Sequence, residues 1–291
     1  MQLLDGKVVS EAVKLDLAKK VEVLLQTGKR APHLCAILVG NNGASETYIA
    51  SKIKNCEAVG FKSSLFRFEA DVEEKTLMET IEQINQDASI DGLLVQLPLP
   101  KHINEQKIIS LIDPNKDVDG FHPVNAGKML LGLPAYIPAT PYGIMLMLAH
   151  YQIETAGKHA VVIGRSNIVG RPMSILLSQD RPNGNCTVTV CHSRTKNLAA
   201  ICQQADIIVA ALGKPGFLTA DMVKENAVVI DVGITRVTDA SKKSGFAIKG
   251  DVDFENVAPK ASYITPVPGG VGLMTISALL QNTYNAYLQH L

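Results

Sequence analysis

Tyr48 and Lys52 lie four residues apart in SETYIASKIKNCEAVG (45–60), a stretch that reads as a helix, so both side chains project from one face. A phenol beside an amine is an acid/base pair wherever burial or a partner brings the lysine below its ordinary pKa of about 10.4. Taken alone, the pair fits a half-exposed helix face equally well. Gln96 stands inside the apolar run LLVQLPLP, where an amide needs a buried partner or a ligand. Asp117 and Asp119 flank Val118 just before Gly120, in an irregular stretch of the kind where site residues concentrate. Each of these singly suits a structural glutamine or a turn-capping aspartate. A lysine, an amide, a carboxylate and a phenol at the strand ends of one domain point to a polar ligand.

A second constellation is HAVVIGRSNIVGRP (159–172), an apolar strand ending in Gly164, a tight turn, and a helix beginning near Ile168. Gly164, Ser166 and Gly170 are spaced as a variant of the dinucleotide fingerprint, with serine at the middle glycine position. Small residues there let backbone N–H groups approach a pyrophosphate at a helix N-terminus. Where an NAD site carries an acid at the end of the next strand, this chain reads Cys191-His192-Ser193-Arg194-Thr195. Ser193, Arg194 and Arg165 suit a 2′-phosphate, which favours NADP; Arg194 also fits a solvated surface charge. Tyr-x-x-x-Lys is the acid/base pair of short-chain dehydrogenases too, but there it follows the glycine turn in the same domain. Here it precedes that turn, in the other half of the chain.

The elements that must position these groups alternate. Residues 11–27 read as an amphipathic helix stopped by Gly28, and LCAILVG (34–40) as a buried strand. Ser45 is expected to cap the Tyr48 helix, with Gly60 at its end. Strand 64–68, helix 73–87 and, in DGLLVQLPLP (91–100), a strand followed by a Pro-rich turn come next. From 113 to 143 the chain is rich in Pro, Gly and Asp without a sustained period, and a helix, TPYGIMLMLAHY, leads into the second half. There HAVVIG, CTVTVCH, ADIIVAALG and AVVIDVG read as strands, SILLSQ and LAAICQQ as helices, and YITPVPGG as a last apolar segment. The expectation is α/β: an N-terminal substrate domain with a parallel sheet (1–138), then a Rossmann-type dinucleotide-binding domain (139–272).

Bulk properties exclude several classes. Lys plus Arg and Asp plus Glu both number 28, so a nucleic-acid partner, which wants excess positive charge, is not expected. The five cysteines are scattered without a CxxC pair, which argues against disulfides and a zinc site and for reduced thiols. MQLLDGKVVSE reaches charge too early for a signal peptide, and no apolar run spans a bilayer. A cytoplasmic protein with no membrane partner and no metal is expected.

ASETYIASKIKNCEAVGF, DGLLVQLPLP, KDVDGFHPVNAGK, PATPYG, VVIGRSNIVGRP and TPVPGGVG together resemble the ordered signatures of the methylenetetrahydrofolate dehydrogenase/cyclohydrolase family, over nearly the whole chain. The resemblance implies NADP-dependent oxidation of 5,10-methylenetetrahydrofolate to the methenyl cation and hydrolysis of that cation to 10-formyltetrahydrofolate. This is one-carbon metabolism, which feeds purine, methionine and histidine synthesis. It also implies a homodimer, a reduced-folate substrate in a cleft between two domains, and a C-terminal helix (273–291) returning to the first domain. By motif, Lys52 would be the general base/acid of the cyclohydrolase step, tuned by Gln96. Tyr48 would pack on the folate, and Asp119 would hold the pterin's donor edge. Pro266, Pro268, Gly269 and Gly270 would line the folate site, while Gly164, Arg165, Ser166, Gly170, Ser193 and Ile234 would hold NADP.

The chemistry agrees with that set. Hydride leaves a carbon whose two nitrogen neighbours stabilise the cation, so orientation rather than a strong base serves the first step. The family reads G-G-V-G-P-M-T where this chain has Leu273; losing proline restores a backbone N–H at a helix start, where proline is favourable but optional. Three rivals are weaker. A dehydrogenase lacking cyclohydrolase would lack Lys52 or Gln96, a non-catalytic NADP sensor would not keep the polar set, and an amino-acid dehydrogenase would need an arginine clamp that the first half does not offer. Some relatives carry a formate-ligase module, for which this length leaves no room.

Overall fold

The computed structural model describes residues 1–239, 241–242 and 245–290. Along the chain run β1 (Gln2–Leu3), α1 (Gly6–Gln26), β2 (His33–Val39), α2 (Gly43–Ala58), β3 (Lys62–Phe68), α3 (Glu74–Gln86), β4 (Gly92–Val95), α4 (Glu105–Leu111) and α5 (Pro123–Leu130). Then come α6 (Ala139–His150), β5 (His159–Ile163), α7 (Gly170–Ser178), β6 (Thr187–Cys191), α8 (Leu198–Cys202), β7 (Ile207–Ala210), β8 (Val228–Asp231) and β9 (Thr235–Thr238). The last are β10 (Phe246–Lys249), α9 (Phe254–Val257), β11 (Tyr263–Ile264) and α10 (Val271–Gln289).

Two compact units emerge. One comprises Glu11–Ala139 and the chain from Ile276 onward; the other comprises Met1–Ser10 and Thr140–Thr275. Both are α/β with parallel sheets, ordered β3-β2-β4 in the first and β1-β11-β8-β7-β5-β6 in the second.

In the first unit β2 is buried at every position, as a central parallel strand must be. Its period of two sends Leu34, Ala36 and Leu38 into one core with Leu17 and Val21 of α1, Ile49 and Cys56 of α2, and Leu279, Leu280 and Tyr284 of α10. Cys35, Ile37 and Val39 face the other core, with Leu77, Ile81 and Ile84 of α3 and Ile108 of α4. Helix α10 is also tied to this unit by Asn282, whose amide donates to the carbonyls of Val118 and Ile137 at 2.8 and 2.9 Å. Beneath the sheet, the fully buried Asp91 carboxylate accepts two 2.7 Å bonds from Arg30 and one from the His33 N–H, with His290 Nδ1 at 3.3 Å.

In the second unit the core is built by Val161, Ile163, Ile208, Ala210, Val229 and Ile264 with Leu218, Val223 and Val257. Several local features differ from the sequence reading. Helix α1 begins at Gly6, ahead of residue 11. The first ten residues cluster with the second unit, not with the domain expected over 1–138. Their reason is pairing: Gln2 and Leu3 lie parallel to Tyr263 and Ile264, and the Gly6 N–H donates to the Gly269 carbonyl at 2.9 Å. The antiparallel β9–β10 pair was not anticipated. Helix α5 arises inside the stretch that reads as irregular; His122 Nδ1 caps it by accepting from the Val124 N–H, and Pro123 starts it. Among the described residues, no helix is long and apolar enough to cross a membrane, and no cluster of His, Cys, Asp or Glu could hold a metal.

Candidate active site

Lys52 lies on α2, whose N-terminus is capped by Asn42 and not by Ser45. The Asn42 side-chain oxygen accepts from the Ser45 N–H at 3.2 Å, so the helix starts earlier than the serine suggests. One turn after Tyr48, the Lys52 ammonium stands 4.7 Å from the centroid of the Tyr48 ring. Tyr48 is 36% exposed and Lys52 only 7%. The lysine is thus a buried amine with a part-exposed aromatic ring beside it.

Gln96 follows β4 directly, and its N–H donates to Ile37 at 2.9 Å, extending the β2–β4 ladder past its last paired residue. Its side-chain amide donates to the Leu97 carbonyl at 2.7 Å, which turns Oε1 toward Lys52; the ammonium donates to that oxygen at 3.2 Å. The acceptor is therefore oriented from both ends.

The two aspartates divide the work. Asp117, 1% exposed, bridges Leu93 on the free edge of β4 and accepts from the N–H groups of Phe121 and His122 and the Asn125 amide at 2.9–3.2 Å. It shapes the turn. Gly120 completes that turn at φ +71°, where a Cβ would stand 2.7 Å from the backbone of Tyr136, Ile137 and Pro138. Asp119, held between them, faces Lys52 electrostatically.

Burial pushes the Lys52 ammonium below the ordinary lysine range, with Asp119 opposing that fall. Burial equally pushes the Asp119 carboxyl up, with Lys52 opposing. Asp119 keeps part of its surface open to solvent, and the protein packed around it still sets that direction. Such an amine reaches its neutral, proton-accepting form at a lower pH than a free lysine does. Tyr48, Lys52, Gln96 and Asp119 thus gather at the carboxyl ends of parallel strands, the place where α/β sheets bind ligands.

In the second unit, β5 is followed directly by Gly164 at φ +132°, where a Cβ would overlap the Ala211 carbonyl oxygen; at Gly170 a Cβ would overlap the Gly164 carbonyl. Both glycines are required for the turn to close. A cavity of about 470 Å³ opens at the ends of β5, β6 and β7, lined by Gly164, Arg165, His192, Ser193, Thr195, Leu212, Lys214 and Phe217, among others. Of the expected cofactor residues, Gly164, Arg165 and Ser193 line it. Ser166 Oγ instead accepts from the Val169 and Gly170 N–H groups at 3.1 and 3.4 Å, so its hydroxyl caps the start of α7. That helix begins at Gly170, not near Ile168. Arg194 is exposed and lies outside the cavity lining, as do Gly170 and Ile234; Ile234 is 60% exposed and lies against Gly272. His192, Thr195, Lys214 and Phe217 escaped the sequence reading. A sequence signal for the last two existed in the Gly-Lys-Pro-Gly turn after ADIIVAALG, since a loop leaving a Rossmann strand is a ligand loop.

Pro266, Pro268, Gly269 and Gly270 belong to this second unit, not to that of Lys52. They form a tight turn after β11: Val267–Pro268 is cis, Gly269 has φ +111°, and a Cβ on Gly270 would lie 2.6 Å from the Pro266 carbonyl oxygen. Pro266 also lines a separate cavity of about 460 Å³, with Asp231, Gly250 and Asp253. Helix α10 follows. Leu273, at its third position, uses the N–H that proline would lack: it donates to Gly270 at 3.2 Å.

Known proteins match both halves. A family model described as the tetrahydrofolate dehydrogenase/cyclohydrolase catalytic domain matches residues 4–119, and one described as the NAD(P)-binding domain of the same family matches residues 138–291. The bifunctional protein FolD of Phocaeicola vulgatus is 62% identical over 283 residues, 97% of each chain. The crystal structure of the bifunctional enzyme FolD, a methylenetetrahydrofolate dehydrogenase/cyclohydrolase from Campylobacter jejuni, is 48% identical and covers all of both chains at a TM-score of 0.94. The Trypanosoma brucei methylenetetrahydrofolate dehydrogenase-cyclohydrolase, solved with NADP and an inhibitor, is 38% identical, covering 98% of this chain and 96% of that one at a TM-score of 0.92. With both family domains matched in order and relatives alike from end to end, this chain belongs to the tetrahydrofolate dehydrogenase/cyclohydrolase family.

Proposed function

We propose that this protein oxidises 5,10-methylenetetrahydrofolate with NADP to 5,10-methenyltetrahydrofolate and hydrolyses that cation to 10-formyltetrahydrofolate. The observation that carries the reading is the Lys52–Gln96 bond, made by a buried ammonium beside Tyr48 and Asp119, within a chain of this family. We assign folate binding to the unit of Lys52 and NADP binding to the unit of Gly164. The glycines at 164 and 170, the neighbouring cavity and the Arg165–Ser193 pair in its lining fit a phosphate-bearing dinucleotide. When bound, NADP accepts the hydride.

The chain's own groups do the rest. Tyr48 offers its part-exposed ring to the flat pterin and aminobenzoate system. Asp119 accepts from the pterin's N–H edge. Arg165 and Ser193 hold the 2′-phosphate, and Arg194 adds charge at its rim. In hydrolysis, neutral Lys52 takes a proton from water as the water oxygen bonds to the one-carbon centre. It then returns that proton to the departing ring nitrogen as that C–N bond breaks, while the remaining hydroxyl proton passes to solvent as the C=O forms, leaving formyl on the other nitrogen. Gln96 keeps the amine aimed. No proton acceptor is needed for hydride departure, so the two steps place unequal demands on Lys52.

We place the protein in the cytoplasm as a homodimer; the five buried free thiols suit a reducing compartment. The test mixes pure protein with methylenetetrahydrofolate and either NADP or NAD and follows reduced cofactor and methenyl absorbance. Reduction of NADP in preference to NAD, followed by decay of the methenyl band, is expected. No reduced cofactor with either refutes the proposal.

A further inference from the structure

The loop after β7 carries a cation whose backbone is fixed with unusual thoroughness. Asp251, fully buried, accepts three consecutive N–H groups from that loop: Leu212 at 2.6 Å, Gly213 at 2.9 Å and Lys214 at 2.7 Å. Its own N–H donates to Asp231 at 2.8 Å, as does that of Val252 at 3.0 Å, so a second buried carboxylate anchors the first. The Gly216 N–H donates to Gly250 at 3.0 Å and the Leu218 N–H to Asp251 at 2.9 Å, closing the loop from its far side. A cross-linked loop of this kind costs little further entropy when a ligand binds it.

What the anchoring presents is the Lys214 side chain, which lines the 470 Å³ cavity beside Phe217, with its ammonium 5.8 Å from that ring's centroid. The strand order is β6-β5-β7. Arg165 follows the central strand, Ser193 and Thr195 follow its neighbour on one side, and Lys214 follows its neighbour on the other. Two cations and two hydroxyls from three adjacent strand ends therefore line one cavity, with no carboxylate among the described lining residues. Such a lining has a charge suited to a phosphate dianion.

We infer that Lys214 is a second cation, with Arg165, for the 2′-phosphate of the cofactor, and so a determinant of NADP over NAD. The inference rests on the cofactor reading above. It is tested by calorimetry with 2′,5′-ADP and 5′-AMP, which differ in that phosphate, on wild type, Lys214→Met and Lys214→Arg. The methionine variant keeps the stem that packs near Phe217 and removes only the charge. It is expected to weaken 2′,5′-ADP about tenfold, equivalent to about 1.4 kcal/mol, and to leave 5′-AMP within about twofold; the arginine variant should stay near wild type. Equal weakening of both nucleotides, or of neither, overturns the role of Lys214 while the cofactor reading stands. A wild type that binds 2′,5′-ADP no better than 5′-AMP overturns both.

Discussion

Replacing Gln96 by glutamate changes one atom set and one charge at the point where Lys52 is held. Gln96 Oε1 lies 3.2 Å from the ammonium, so a carboxylate there would favour the protonated lysine. At that separation the attraction is about 5 kcal/mol for an effective dielectric of about 20, and about 1.3 kcal/mol in bulk water. These correspond to a Lys52 pKa higher by about four and about one pH units respectively. The sign follows from the proposed role: an amine that takes a proton from water must be neutral, so a raised pKa moves the rising limb of hydrolysis to higher pH. The assay is decay of methenyltetrahydrofolate from neutral to alkaline pH, corrected for the spontaneous reaction. Gln96→Glu is expected to lose at least about tenfold at neutral pH, to shift the limb upward by at least about one unit, and to recover in alkali. A limb that stays where wild type has it, or moves down, refutes the claim that Gln96 acts through the Lys52 proton.

Other expectations follow from the same geometry. Gly164→Ala places a Cβ into the Ala211 carbonyl at a φ of +132°, so the turn must shift; the KM for NADP should rise by about 10²-fold while methenyl hydrolysis without cofactor persists, measured side by side. Arg30→Met strips the fully buried Asp91 of its bidentate partner; because Arg30 is 40% exposed and water can replace it, denaturant unfolding should show a loss of about 2 kcal/mol rather than the roughly 3–5 of a fully buried pair. All five cysteines are buried and free, with thiols that burial pushes up, those of Cys56 and Cys202 to about 12; a thiol-specific chromogenic reagent should titrate them far more slowly in native than in unfolded protein.

The legible parts of this site were those written in short-range spacing. Tyr48 and Lys52 share a helix face because they are four apart, and the Gly164 turn follows from a strand running into small residues. The alternating strands and helices gave the fold class for the same reason. Contacts set by tertiary packing were not legible. Gln96 marked itself as an amide in an apolar run, but its partner sits 44 residues away, across a strand–helix contact. Ser45 and Ser166 show the opposite failing: local type suggested one role, while neighbouring groups assigned another. Asn42 was better placed to cap α2, and the Ser166 hydroxyl was claimed by the N–H groups that open α7. At Lys214 the Gly-Lys-Pro-Gly turn marked a strand-end loop and no more; the fixing of that loop comes from Asp251, whose distance in sequence hides the three bonds. Pro266 to Gly270 were read within a last apolar segment and, by resemblance, as lining the folate site, yet which compact unit they join depends on β11 entering the larger sheet.

The proposed role of Lys52, moving the proton in hydrolysis while being dispensable for hydride departure, is what the function turns on. Its most direct measurement is both activities of Lys52→Met, with saturating NADP and methylenetetrahydrofolate for one and methenyltetrahydrofolate for the other. Hydrolysis should fall by at least about 10²-fold, the usual contribution of a positioned acid/base group, while cofactor reduction stays measurable and methenyl product accumulates. Hydrolysis at the wild-type rate, or both activities falling by one common factor, would contradict it.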